Sequence, residues 1–206
     1  MKRLLLLLLM FVWCTPANAL IVSTFDFDTE GWTATGATVS HESIGGNPGG
    51  FLKIEDSADD TFSAYPPPKF RGDLSGFDGD LLTYDLLLIS APRTIPLTSV
   101  GSGLGRIQLE GGGSNATFDY APNPPIPSAD FWTTYYVPMT AEAWSTTQAN
   151  WEIVLSNVTN FHVILEPVNG STVGLDNFGI APVPEPSSLI LLTTGLLGLP
   201  FLRQKR

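Results

Sequence analysis

The chain has 206 residues and a formal net charge of −10, from 10 basic and 20 acidic side chains. Five of the basic residues and one acidic residue, Glu185, lie outside residues 20–183, so that span carries 5 basic against 19 acidic groups, a net of −14. Such a surface repels the phosphates of nucleic acids and anionic lipids, and nucleic-acid binding is excluded as a function.

At the N-terminus, Lys2 and Arg3 precede an apolar run over residues 4–13, and Ala17-Asn18-Ala19 is a small-x-small cleavage site. This pattern is a secretory signal peptide over residues 1–19, so the mature chain is expected to start at Leu20. The only cysteine, Cys14, lies within it. Lipidation of Cys14 is disfavoured by bulky Trp13 beside it. The exported chain therefore has no disulfide or thiolate metal site, and an ordinary core must hold it together.

Residues 20–183 suffice for one domain and read as β-strands separated by turns. The segment 20–28 (LIVSTFDFD) places Phe25 and Phe27 on one face by its period of two. Further strands are expected over 51–55, 80–89, 106–110, 117–120, 133–137, 161–165 and 174–180. Punctuation comes from GGNPGG at 45–50, PPP at 66–68, GGG at 111–113 and PNPPIP at 122–127. About eight short strands spaced by Gly and Pro predict an all-β fold, a jelly-roll β-sandwich. Only residues 141–155 have helical spacing, with Trp144, Trp151 and Leu155 on one side.

Several groups could carry chemistry. Asp26, Asp28, Glu30 and Gly31 open like an EF-hand loop, but the twelfth position, which should be a bidentate Glu, is Ala37. A structural Ca²⁺ where the first strand meets the last is a separate reading, with Asp28, Glu30 and Asp176 supplying oxygen. The alternative is that Asp176 caps a turn. The acidic groups Glu55-Asp56, Asp59-Asp60 and Asp73, Asp78 and Asp80 read as solvated turn residues rather than as a glycosidase pair. Histidines occur only at 41 and 162, and neither has a nucleophile-elbow partner. His162, opposite in parity to Phe161 and Val163, is expected at a surface or edge. Trp32, Trp132, Trp144, Trp151, Tyr65, Tyr120, Tyr135 and Tyr136 could stack on sugar rings. The stacking candidates are Tyr135, Tyr136 and Trp144, since one of two adjacent strand tyrosines must face outward. Asn115, Asn157 and Asn169 begin N-glycosylation sequons, which have meaning only in a host with that machinery.

The apolar run at 189–202 is short for a membrane span and is broken by Gly195, Gly198 and Pro200. Arg203, Lys205 and Arg206 close the chain and would stay cytoplasmic. Pro184-Glu185-Pro186, two serines, a short apolar helix (about 188–202) and a basic tail (203–206) together resemble the PEP-CTERM sorting signal. An ordinary single-pass anchor is the alternative. The resemblance implies a Gram-negative bacterium that makes exopolysaccharide, export, transient insertion in the inner membrane, and recognition of Pro184, Glu185 and Pro186 by an exosortase that removes the tail.

The core resembles laminin B (laminin IV type A) domains. TFSAYPPPKFRGD at 61–73 is similar to the family's YFxAPxKFLGD, and GDLLTYDL at 79–86 follows as its LxYxL strand. IQLEGGG at 107–113, WTTYYVPM at 132–139 with Trp144, LSNVTNFHVI at 155–164 and LDN at 175–177 continue in the family's order. The resemblance implies a non-enzymatic jelly roll similar to carbohydrate-binding modules over 20–181, followed by the sorting signal over 182–206. The expected function is that of a non-catalytic surface or matrix protein, associated with exopolysaccharide. A calcium-stabilised, lectin-like glycan-binding module is the alternative.

Overall fold

Alternation of apolar and polar side chains decides which face each strand buries. In β6 (Leu81–Ser90), Leu82, Tyr84, Leu86 and Leu88 are buried on one side of the strand. The computed structural model describes residues 20–58, 61–92, 103–120 and 125–183, and in them two antiparallel sheets pack face to face. The six-stranded sheet runs β3 (Ala37–Gly46), β4 (Gly49–Asp56), β11 (Thr172–Ala181), β6 and β9 (Thr133–Pro138), and β1 (Ile21–Ser23) also pairs with β11. The five-stranded sheet runs β2 (Thr33–Thr35), β5 (Ser63–Tyr65), β10 (Val158–Ile164), β7 (Ile107–Gly111) and β8 (Ser114–Phe118). This is the all-β sandwich expected from the sequence.

Phe178 on β11 stands at the centre of the core. Its ring lies 4.8 Å from Trp32, 5.3 Å from Phe70, 5.6 Å from Tyr84 and 5.7 Å from Phe161. It thus joins side chains from both sheets and from the 3₁₀ turn Pro68–Phe70. Edge-on and offset contacts of this kind add to the burial of large apolar area. The PPPKF stretch works as a wedge, with prolines that cannot extend a strand carrying Phe70 inward.

Two expectations need correction. Phe25 and Phe27 do not share a face, because Phe25 is fully buried and Phe27 is 92% exposed. Phe25 adopts a left-handed conformation (φ 52°), which ends β1 early and breaks the alternation. The helix α1 spans Gln148–Ser156 rather than starting at 141. Ser145 at φ 50° interrupts the preceding turn, and the Thr147 hydroxyl then caps the helix by accepting from the Asn150 amide at 3.2 Å.

Candidate functional site

The outer face of the five-stranded sheet carries a row of flat polar side chains. β2 pairs Thr33 with Tyr65, β10 pairs His162 with Gln108, and β7 pairs Gln108 with Thr117. The Tyr65 and His162 rings lie 5.7 Å apart and close the gap between β5 and β10. Their strand neighbours Ala64, Phe161, Val163, Ile107 and Leu109 point into the core. Thr33, Tyr65, His162, Gln108 and Thr117 therefore cross all five strands, a row about 19 Å long at the usual strand spacing.

A second row runs beside it. Asn160 pairs with Glu110, and Glu110 with Asn115. The Gln108 amide donates to Glu110 Oε1 at 3.1 Å, and the Thr159 hydroxyl donates to the Glu110 carbonyl at 3.1 Å. Glu110, Gly111, Gly113, Ser114, Asn115 and Thr159 line a polar cavity of about 300 Å³ at the end of this row. Tyr65, His162, Gln108, Glu110 and Asn160 are all half-buried. Burial holds the His162 imidazole below its ordinary pKa, against the opposing pull of Glu110, so the ring is neutral at pH 7. Its Nδ1 is buried with no hydrogen-bond partner among the described residues. An aromatic face flanked by neutral imidazole, amide and carboxylate groups can stack on a sugar ring and exchange hydrogen bonds with its hydroxyls.

Of the stacking residues expected from sequence, Tyr136 is 58% exposed on β9. Tyr135 and Trp144 are each 1% exposed and cannot stack on a ligand. Tyr135 stacks on Tyr84 at 4.9 Å, and its hydroxyl donates to the Pro125 carbonyl at 2.7 Å. Trp144 packs 5.2 Å from Trp151 and donates to the Pro138 carbonyl at 2.9 Å. Trp132 instead lies across the outside of the other sheet, 5.5 Å from Phe51, and donates to the Gly45 carbonyl. It lies above Gly174, where a Cβ would meet its ring at 2.8 Å. His162 is on a strand in the middle of its sheet rather than at an edge.

The carboxylates suggested for calcium are not brought together. Glu30 Oε1 accepts from the amides of Thr24 and Phe25 at 2.9 and 2.8 Å, and its other oxygen pairs with Lys69. Asp28 Oδ1 accepts from the Glu30 amide at 2.6 Å, an ordinary turn bond. Asp176 is fully buried on β11 opposite Asp85 on β6, and accepts from the amides of Asn47 and Asn177 at 2.5 and 2.7 Å. Asn47 and Asn177 also donate to Asp85 Oδ2 at 3.0 and 2.9 Å. Burial, together with the nearby charges of Asp85 and Asp26, pushes the Asp176 carboxyl up to about 6. Among the described residues, no group of three or more His, Cys, Asp or Glu side chains is arranged to hold a metal ion.

Of the other acidic groups, Asp59 and Asp60 lie outside the described residues, Asp80 Oδ2 is buried with no hydrogen-bond partner among the described residues, and two have structural partners. Asp73 accepts from the Ser75 amide at 3.0 Å, and Asp78 accepts from the Trp151 indole at 2.8 Å and the Gln148 amide at 3.1 Å. His41 Nε2 lies 2.8 Å from the Phe25 carbonyl. Sequence reasoning missed the placement of Gln108, Glu110 and Asn160 side by side. The signal was present in the alternation of Ile107 and Leu109 with Gln108 and Glu110, but nothing in one strand tells which neighbour stands beside it. Ala17, Ala19, Pro184, Glu185, Pro186 and the apolar run at 188–202 lie outside the described residues. No helix among the described residues is long and apolar enough to cross a membrane.

Comparison with known proteins bears on both parts of the chain. Residues 182–206 match the PEP-CTERM protein-sorting motif. The chain therefore carries a PEP-CTERM motif, which implies export and membrane-linked processing by an exosortase. No curated protein matches the chain. Among solved structures, the L4b domain of human laminin alpha-2 is similar at a TM-score of 0.53 and 11% identity, over 81% of this chain and 98% of that one. An exo-beta-agarase is similar at 0.52 and 15%, over 79% of this chain and 26% of that one. The family 11 carbohydrate-binding module of a cellulosomal cellulase of Clostridium thermocellum is similar at 0.50 and 15%, over 82% and 99%. These likenesses show the fold, a jelly-roll sandwich with a laminin-domain neighbour.

Proposed function

We propose that the protein is a non-catalytic component of the cell surface or extracellular matrix, sorted by an exosortase, which holds exopolysaccharide on the outer face of its five-stranded sheet. The half-buried row of Tyr65, His162 and Gln108, with Glu110 and Asn160 beside it, carries this reading. Sugar polymers are bound by shallow surfaces that pair an aromatic platform with many weak hydrogen bonds, and this face offers both. The resemblance to carbohydrate-binding modules and the sorting motif support it from two directions.

The likeness to a laminin domain and to a carbohydrate-binding module supports the non-catalytic reading. Retention of exopolysaccharide purified from the producing organism, measured by affinity electrophoresis, tests the binding reading. Tyr65→Ala should weaken retention about 10-fold, the loss of one stacked ring, while Tyr136→Ala on the opposite sheet should leave it unchanged. Equal retention by wild type and Tyr65→Ala would place the site elsewhere. For processing, mass spectrometry of the exported protein should find the chain ending before residue 206.

A further inference from the structure

The lysine and arginine side chains among the described residues are those of Lys53, Lys69, Arg71 and Arg106. All but one are bound to a carboxylate. Lys53 pairs with Glu55 at 3.3 Å, Lys69 with Glu30, and Arg106 with Asp119 at 2.8 Å. Arg71 is exposed and pairs with no carboxylate among the described residues. Its Nη2 donates to the Pro66 carbonyl at 3.2 Å. The acid two residues along, Asp73, is taken up by the amide and hydroxyl of Ser75 at 3.0 and 2.6 Å. In a span of net charge −14, one guanidinium thus keeps most of its donors for a partner outside the chain.

The backbone sets this cation at the margin of the glycan face. Gly72 and Val158 exchange hydrogen bonds at 2.8 and 2.7 Å, an antiparallel bridge on the first residue of β10. Val158 is buried, so Arg71, one residue before Gly72, has the outward parity and stands opposite exposed Thr159. Thr159 lines the polar cavity together with Glu110. Pro66, whose carbonyl holds the guanidinium, directly follows Tyr65. Glu110 lies two strands away, about 10 Å at the usual spacing, and its carboxylate accepts from Gln108 instead.

We propose that Arg71 is a subsite for a carboxylate on the polysaccharide, so that the face takes a polymer bearing uronate or other carboxyl-substituted sugars. This rests on the glycan reading of the face and names its ligand class. The guanidinium fork matches the two oxygens of a carboxylate and can bind them through parallel hydrogen bonds. A singly charged group also meets less repulsion from the acidic domain than a doubly charged one. Tyr65, His162 and Gln108 hold the sugar ring, and Arg71 reads its charge.

The test is affinity electrophoresis in exopolysaccharide purified from the producing organism, used as isolated and after reduction of its carboxyl groups to alcohols. The reduced polymer should retain the wild type about 10-fold less than the native one. Arg71→Gln keeps a donor for the Pro66 carbonyl and should melt with the wild type. It should lose about 10-fold on the native polymer and nothing further on the reduced one. Arg71→Lys keeps the charge without the fork and should recover part of the loss on the native polymer alone. Equal retention of the wild type by both polymers overturns the proposal and leaves the glycan reading standing. An equal loss in Arg71→Gln on both polymers also overturns it, since Arg71 would then act without reading charge. Failure of both polymers to retain the wild type overturns the glycan reading, and this inference with it.

Discussion

Replacing Glu166 by Gln should change how stability depends on pH in a way that follows from the local electrostatics. In the folded chain, burial and contact with Asp56 move the Glu166 carboxyl from 4.5 to about 7. The folded state therefore holds a proton that the unfolded state releases between about pH 4.5 and pH 7. Stability from this group is complete below 4.5 and is lost as pH rises through about 7. The full span corresponds to about 3 kcal/mol. Asp56 shifts the opposite way: against the cost of burial, the amides of Ala58 and Gly170, then the Glu166 carboxyl and the Ser57 amide, hold it below its ordinary value. Its contribution is lost only in acid, below the window of interest. Denaturant melts at pH 5 and pH 8 should show the wild type losing about 2.5 kcal/mol more than Glu166→Gln, since part of the span is already lost at pH 5. Asp176 also titrates, near 6, but it is common to both proteins and cancels in the difference. Parallel pH profiles for the two proteins would refute the argument, because they would mean that Glu166 is ionised in the folded chain at pH 5.

Two further outcomes test the packing and the second acidic cluster. Phe178→Ala removes the ring that touches Trp32, Phe70, Tyr84 and Phe161, and should cost about 3–5 kcal/mol in a denaturant melt; a loss below 1 kcal/mol would mean that the aromatic centre repacks freely. Asp85→Asn keeps an oxygen for the amides of Asn47 and Asn177 but removes one charge facing Asp176, so the melting temperature should rise at pH 8 and stay level at pH 4, and a fall at pH 8 would refute the like-charge reading.

The fold was readable wherever the chain obeys simple alternation. The strands around Leu82–Leu88 and Ile107–Leu109 bury the side chains their parity demands. Reading failed where backbone geometry overrides parity. Phe25 in a left-handed conformation sends Phe27 into solvent, and Ser145 postpones the helix until Thr147 can cap it. The short strands β2 and β5 were missed because three residues carry too little pattern to announce a strand; their pairing with each other and with β10 defines them. The resemblance to laminin B domains reached the right fold because its motifs mark turns and core residues. Tyr135 and Trp144, singled out only as aromatic side chains, are structural.

The candidate sites were harder to read, because each is assembled from strands that are neighbours only after folding. Tyr65 and His162 come from strands separated by nearly half the chain, and become adjacent only because β10 enters the sheet between β5 and β7. Glu166 accepts from the amide of Phe62, 104 residues earlier. Adjacent acidic residues in the sequence were the visible signal, yet Asp73 and Asp78 bond to nearby turns and indoles, while the isolated Glu166 carries the perturbed carboxyl. Sequence adjacency selects groups that share solvent, whereas burial and cross-sheet contact select groups whose charge must be balanced. That difference explains why the sorting motif, a signal carried by consecutive residues, was fully visible in the sequence while the surfaces of the domain were not.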